Sequence, residues 1–384
     1  MWGLSSLFLA TWQFFTTLGL LSVLAAGVFA SLWVLLFCKW QWKRQQKEAW
    51  LGVYRFWVRF FALALTLCFS VSIPLIIQVG TVWPSLLMKV VAVLGPLLSL
   101  AVLLAFVTKL VFLNIMLYQQ NRVANWLHNM AILWACLGFS AVLYIILVIV
   151  SWMSEPQGTE VINGITQVED WYAILTQPQI LWRFLGFVVS AFAIQGFLMM
   201  GISAWQALQR PLNQTENLSF KVGLGAALFA AVLGSLIYIY GAFFEPELMV
   251  AYQLPDLSLV TVLRVVLVLL LLMVLWTSVR VFAYKREPAR MSAIGLRLYS
   301  GLTFGAALWV FVSLLLAAQQ ELPALVGEAI FIVEVFRDPG FWPLVFSTLA
   351  YLALFIALLY GFVQMLYHAA RFGVVPVRKI RRTA

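Results

Sequence analysis

Among the basic side chains inside the long apolar runs of this sequence, three stand where a charge could do chemistry. They are Lys109, Arg183 and Arg264. An ionisable group inside a membrane-spanning segment is costly to bury, so it commonly marks a substrate path, a proton relay or the counter-charge of a ligand. Lys109 is the deepest of the three. Helical geometry places it about 13 Å along its run from Tyr118, close to the middle of a bilayer.

Lys109 has two interpretations, and the sequence leaves both open. No acidic residue falls inside any apolar run, so an ion pair at this depth is not expected within the chain. In the first interpretation the ammonium extends along the helix towards the membrane surface, or caps carbonyl groups at an interface with a partner. In the second it helps to move a proton or a substrate, which requires that it face the interior of a helix bundle.

Arg183 and Arg264 lie one or two turns from the outer ends of their runs, which indicates a different role. We expect each guanidinium to pair with an acid of a neighbouring loop, for which Glu245, Glu247 and Asp256 are available. The alternative is contact with the anionic head group of a ligand, because arginine forms charge-assisted, bidentate hydrogen bonds with carboxylates and phosphates.

Residues that usually hold metals or act as nucleophiles are sparse. The two histidines are His128 and His368; we expect the first to be exposed in a loop and the second to be exposed at the end of the last run. The three cysteines are far apart and form no CxxC pair, so neither a zinc site nor a disulfide framework is predicted. The sequence has no phosphate-binding glycine loop and no Ser-His-Asp set. We predict no catalytic residue and no metal site.

The elements that carry these residues are apolar runs of membrane length. The chain of 384 residues is 64% hydrophobic and 10% charged, unlike soluble domains. Runs of this length span a bilayer as helices. The predicted fold is an all-α polytopic membrane protein with nine transmembrane helices: Phe14–Cys38, Trp57–Val79, Val90–Tyr118, Met130–Trp152, Leu181–Ala207, Val222–Phe244, Leu257–Ala283, Ala293–Ala318 and Trp342–Leu366. They form one integral-membrane domain, 1–384, with a first bundle over 14–152, a second over 181–318 and a peripheral helix over 342–366.

Charges in the connecting segments alternate and predict the sidedness. Most of the 24 basic residues fall in alternate connections, which contain only three of the 14 acidic residues, namely Glu48, Glu216 and Glu287. An excess of Lys and Arg marks the cytoplasmic side, so the N-terminus is predicted outside and the C-terminus in the cytoplasm. The net charge of +10 does not indicate nucleic-acid binding, because no basic soluble domain carries it.

Small residues at helical spacing indicate where helices approach each other closely. Gly223, Ala227 and Ala231 share one stripe of the sixth run, and Gly301 and Gly305 share one stripe of the eighth. Stripes of this kind allow helix backbones to come close inside a membrane. We predict that both stripes are packing surfaces.

Several short motifs occur along the chain, and their order and spacing indicate a family. They are Trp12-Gln13-Phe14, Phe56-Trp57, Gly80-Thr81-x-Trp83, Trp152-Met153-x-x-Pro156, Pro178, Phe184, Gly201–Trp205, Leu263-Arg264 and Ala370–Gly373. Together they resemble subunit I of the cytochrome bd-type quinol oxidases, a family of nine-helix membrane proteins whose N-terminus is outside. No single motif is specific, and the resemblance rests on their order and spacing.

The resemblance also implies places for haem ligands, and the donors are missing there. In the family, a histidine of the first helix binds the high-spin haem and two glutamates of the third helix lie at or beside the haems; the matched places hold Leu21, Ala101 and Lys109. The family holds its low-spin haem by a histidine and a methionine, and the matched places hold Gly186 and Val266. Haem iron needs an axial donor such as His, Met, Cys or Tyr. These departures predict a haem-free member.

A fold can persist when its chemistry is lost, so retained motifs with erased ligands favour a non-catalytic role. The predicted function is a structural or anchoring subunit of a respiratory or electron-transfer complex in the bacterial inner membrane. Its partners would be the lipid bilayer and a subunit II-like membrane protein or another redox subunit. No cofactor is predicted, although the family uses haems b and d. Two alternatives stay open: an electron-transfer subunit with unmatched donors such as His368, Met199 or Met200, and a small-solute or proton pathway through Lys109.

Overall fold

The computed structural model describes residues 2–118, 122–162, 165–244, 324–328, 330–331 and 336–372, together with single positions between 268 and 305. The helices are α1 (Trp2–Gln45), α2 (Glu48–Val82), α3 (Pro84–Val107), α4 (Asn114–Tyr118), α5 (Asn125–Ser154), α6 (Trp171–Leu175), α7 (Pro178–Gln209), α8 (Gln214–Phe244) and α9 (Phe341–Phe372). A π-helical segment, Thr108–Leu113, joins α3 to α4. The described residues also form two antiparallel strand pairs: β1 (Thr159–Ile162) with β2 (Ile165–Val168), and β3 (Ala324–Glu328) with β4 (Ile330–Phe331).

Seven helical segments of the described residues are long and apolar enough to cross a membrane. They are Ser6–Gln45, Glu48–Val82, Pro84–Leu117, Asn125–Ser154, Trp171–Gln209, Gln214–Ile237 and Phe341–Gly361. Each overlaps one predicted span, because an apolar run in hydrocarbon must satisfy its backbone polar groups internally and therefore forms a helix. The other two predicted spans, Leu257–Ala283 and Ala293–Ala318, lie outside the described residues except for single helical positions. The predicted all-α class is confirmed.

The sequence marks several helix ends with residues suited to them. Pro84 and Pro178 stand at the first positions of α3 and α7, where a proline removes no helical hydrogen bond. Gln46 follows α1 with a φ of 54°, so the chain turns through the left-handed region before α2 begins at Glu48. The helices extend beyond the predicted spans, because the polar turns at their ends continue the same hydrogen-bonded backbone.

The connection between α5 and α7 is ordered by a β-hairpin and the short helix α6. In the hairpin Thr159 pairs with Val168. Asp170 caps α6 by accepting a hydrogen bond from the backbone N–H of Tyr172 at 2.8 Å. The indole of Trp152, a fully buried residue at the end of α5, donates to the hydroxyl of Thr159 at 3.4 Å. This contact fixes the hairpin against the end of the helix.

Helices α7 and α8 approach each other at small residues, as the first predicted stripe requires. A Cβ atom on Gly196 would lie 2.7 Å from the carbonyl oxygen of Gly223 and 2.7 Å from the backbone nitrogen of Ala227. The prediction of a packing surface at Gly223 and Ala227 is confirmed. The second stripe is different: Gly301 and Gly305 are exposed, and a Cβ on either would meet no atom within 4 Å. For contacts within the described residues, that second prediction is wrong.

Candidate functional site

The places matched to the family's haem ligands differ widely in burial. Ala101 of α3 is 4% exposed and packs among apolar side chains of α3 and α5. Leu21 of α1 is half-buried, whereas Gly186 of α7 is exposed and has open space where a Cβ would stand. Val266 and Arg264 lie outside the described residues. The described places therefore contribute an apolar packing contact at Ala101 and an open surface at Gly186.

Lys109 lies in the π-helical segment and is exposed on the outer surface of the described helices. Its Nζ is 4.1 Å from the centroid of the Phe69 ring on α2, which is a cation–π contact. The neighbouring Thr108 is buried and touches α5 at Gly138. A lysine that moves protons or substrates was expected to face the bundle interior. The observed placement instead resembles the alternative, a charge carried along the outer face of a helix.

Arg183 links α7 to α5 near the hairpin. Its two terminal nitrogens donate to the hydroxyl groups of Ser151 at 3.2 Å and of Ser154 at 3.0 Å. The acids proposed as partners, Glu245, Glu247 and Asp256, lie outside the described residues, so that pairing stays a prediction. The two serine contacts already give Arg183 a structural role, because they join the ends of two long helices.

A cluster of buried polar groups, which the sequence analysis missed, lies where α1, α2 and α5 meet. Lys39 of α1 is 2% exposed, and its Nζ lies 4.9 Å from the ring centroid of Trp42 and 5.1 Å from that of Tyr54. The buried hydroxyl of Tyr54 has no hydrogen-bond partner among the described residues. Within those same residues no carboxylate pairs with Lys39. Its ammonium is therefore held by aromatic faces.

His128 also belongs to this cluster. The prediction that it is exposed in a loop is wrong. α5 begins at Asn125, so His128 is in its first turn and is fully buried. Its Nε2 lies 3.2 Å from the carbonyl oxygen of Met116, and its ring meets Tyr54 edge to face at 6.1 Å between centroids. One helical turn further on, Ile132 is also fully buried. That spacing in an apolar stripe was the signal that could have placed His128 inside.

The three unmatched donors considered for haem differ in their burial and surroundings. His368 of α9 is exposed, as predicted, and its ring meets Tyr367 edge to face. Met199 and Met200 are fully buried on α7, and they belong to two different apolar clusters. A side chain packed between helices in this way stabilises the fold.

Three of the places matched to the family's haem ligands are described by the structure, and their side chains offer haem iron no axial donor. Leu21, Ala101 and Gly186 carry no atom that can bind iron. Among the described residues no three His, Cys, Asp or Glu side chains come together in a way that could hold a metal ion. The buried His128 has its Nε2 at the Met116 carbonyl and lies in a packed cluster. No redox step through haem follows from this donor set.

The residues that carry the family resemblance lie in contacts between helices. Gln13 is buried, and its side-chain oxygen accepts a hydrogen bond from the Thr348 hydroxyl of α9 at 3.2 Å. Phe14 packs edge to face against Trp83 at 6.2 Å between ring centroids. The indole of Trp57 donates to Ser219 of α8 at 2.9 Å. These motifs therefore preserve the packing of the helices.

The fold and these contacts define a multi-pass helical membrane protein with few charges in its interior. The sequence profile of the cytochrome bd terminal oxidase subunit I family matches residues 9–253, which is more than half of the chain. The protein therefore belongs to the cytochrome bd terminal oxidase subunit I family, as its motifs indicated.

Two proteins are similar to this chain, one in sequence and one in structure. Cytochrome bd ubiquinol oxidase subunit 1 of Bacillus subtilis (strain 168) is 26% identical over 196 residues, which cover 50% of this chain and 42% of the relative. The match thus spans less than half of that relative's length. The structure of bd oxidase from Geobacillus thermodenitrificans matches with a TM-score of 0.76 and 16% identity, covering 97% of this chain and 100% of that chain. At this identity the likeness establishes the shared fold.

Proposed function

We propose that the protein is a haem-free, cytochrome bd subunit I-like membrane subunit with a structural or anchoring role in a respiratory or electron-transfer complex. The contrast between two sets of residues carries this proposal. Gln13 and Trp83 belong to family motifs and hold helices together. Leu21, Ala101 and Gly186 stand where the family binds haem, and none has a donor atom. Such a chain keeps the shape that a partner recognises without the electron-transfer chemistry.

The proposed partner is a subunit II-like membrane protein or another redox subunit. Helix α3 and the following π-helical segment expose long apolar side chains, among them Met88, Val102 and Leu110. An exposed apolar face of a membrane helix is covered by lipid or by another helix. The proposed location is the bacterial inner membrane, where the complex would meet quinones and lipid.

Purification from native membranes tests this function. We expect a second multi-pass subunit to co-purify in stoichiometric amount, and we expect the isolated chain to show no haem α-band in a reduced-minus-oxidised spectrum. It should also consume no oxygen with quinol. A haem-containing bd oxidase purified in the same detergent serves as the positive control. One haem per isolated chain would overturn the haem-free assignment and would favour an electron-transfer subunit with unmatched donors.

The proposed topology has nine spans, with the N-terminus outside and the C-terminus in the cytoplasm. It divides the chain into the two bundles, 14–152 and 181–318, and the peripheral helix 342–366. The alternation of basic connections supports it. Reporter fusions after Asp170 and after Arg286 should give opposite results, with the first outside and the second in the cytoplasm. A cytoplasmic signal at Asp170, or an external one at Arg286, would contradict this topology.

A further inference from the structure

A cavity of about 320 Å³ lies between α2 and the turn that joins α7 to α8. Its walls include Arg55 and Phe56 from α2, Gln206 and Arg210 from the end of α7, and Thr215 and Ser219 from the start of α8. None of these residues belongs to the places matched to haem ligands. The cavity lies at the end of the helices where basic residues are frequent, which the proposed topology assigns to the cytoplasm.

The acidic group of the cavity is already engaged. One carboxylate oxygen of Glu216 is 2.6 Å from a terminal nitrogen of Arg210, and the other accepts from the backbone N–H of Asn213 at 3.0 Å. Asn213 in turn accepts from the backbone N–H of Glu216 at 2.9 Å, which is a reciprocal cap at the start of α8. Arg55, which is exposed and also lines the cavity, forms no ion pair in the described part of the chain. The cavity therefore has excess positive charge.

Unused hydrogen-bond donors surround this charge. Gln206 is 3% exposed and lines the cavity, so its side-chain amide is within reach of a ligand there. The Nε of Arg210 is buried and has no hydrogen-bond partner among the described residues. Ser219 accepts from the Trp57 indole at 2.9 Å, which leaves its own O–H to donate. A buried donor without a partner is costly, so the Nε of Arg210 points to a ligand that supplies acceptors.

We propose that this cavity binds the phosphate group of an anionic ligand, either the head group of a membrane phospholipid or a soluble phosphate ester. Arg55 would supply the charge, and Gln206, Thr215 and Ser219 would donate to the phosphate oxygens. The start of the long helix α8 adds the positive end of its dipole. Basic cavities between transmembrane helices on the cytoplasmic side are suited to anionic head groups.

The test compares phosphate ligands on the purified full-length protein. Phosphatidylglycerol is titrated against zwitterionic phosphatidylcholine, and binding is measured by native mass spectrometry. Glycerol phosphate is titrated separately at constant ionic strength, and binding is measured by the thermal midpoint. Arg55→Gln and Thr215→Val should each weaken binding by about tenfold, since each removes a donor to a charged group. Arg59→Gln is the matched control, because Arg59 is exposed one turn further along α2 and does not line the cavity.

Each outcome decides the proposal. If the variants weaken only phosphatidylglycerol binding, the ligand is a lipid; if they weaken only glycerol phosphate binding, it is a soluble phosphate ester. If phosphatidylcholine binds as well as phosphatidylglycerol and glycerol phosphate does not bind, the proposal is overturned. It is also overturned if Arg59→Gln matches Arg55→Gln and Thr215→Val has no effect. These results are independent of haem content, so the proposed function and the phosphate site can fail separately.

Discussion

Gly196→Ala is expected to lower the free energy of unfolding by about 3 kcal/mol, at the upper end of the usual range for overpacking. The added methyl group would stand 2.7 Å from the carbonyl oxygen of Gly223 and 2.7 Å from the backbone nitrogen of Ala227. Both atoms belong to the α8 backbone, which cannot move aside by a side-chain rotation. The helices must separate, and the contacts on both sides of Gly196 would then loosen together.

The measurement is the unfolding midpoint of the purified protein in one detergent, together with the yield of membrane-inserted chain. Gly225→Ala is the matched control: it is also a mid-helix glycine, but it is exposed and its new Cβ would meet no atom within 4 Å. Alanine is the better helix former, so Gly225→Ala should leave stability unchanged or raise it by up to about 1 kcal/mol. Equal midpoints for the two variants would show that α7 and α8 are not in contact at Gly196.

Helix packing was predictable where the sequence repeats one residue type at helical spacing. The small residues Gly223 and Ala227 identified the face of α8 that packs against another helix, because the close approach of two helices depends on the size of the side chains between them. The partner glycine on α7 could not be identified, since Gly196 and Gly201 both lie in that run and spacing alone cannot align two helices. At Gly301 and Gly305 the same pattern predicted a contact that is absent among the described residues, because a stripe of small residues specifies a possible contact without supplying its partner.

The polar residues were harder to place, for a different physical reason. The predicted first span ended at Cys38, which left Lys39 in the connection that follows it, yet α1 continues as far as Gln45 and the lysine is buried. His128 was placed in a loop because the apolar run appeared to begin at Met130. In both cases the helix extends past the apolar run, and burial is then decided by the neighbouring helix. That neighbouring helix is distant in the sequence, so a hydropathy profile along the chain cannot identify it.

Lys39→Met is expected to raise the free energy of unfolding by about 2 kcal/mol, because removing an unpaired buried charge removes its desolvation cost. Lys39 is 2% exposed, and its ammonium has no carboxylate partner in the described part of the chain. Arg55 adds the repulsion of a like charge. The rings of Trp42 and Tyr54 return only part of this cost, on the order of 2 kcal/mol when desolvated.

Methionine suits this position because it has a similar length and its sulfur also packs favourably against aromatic rings. The midpoint of thermal unfolding in a fixed detergent measures the effect. Lys43→Met, four residues further along α1 and exposed, should leave the midpoint unchanged. Lys109→Met removes an exposed ammonium over Phe69, so a change below about 1 kcal/mol is expected. A lower midpoint for Lys39→Met alone would mean that the ammonium has a bound anion or water as its partner. Lys39 would then be a binding residue for that anion or water.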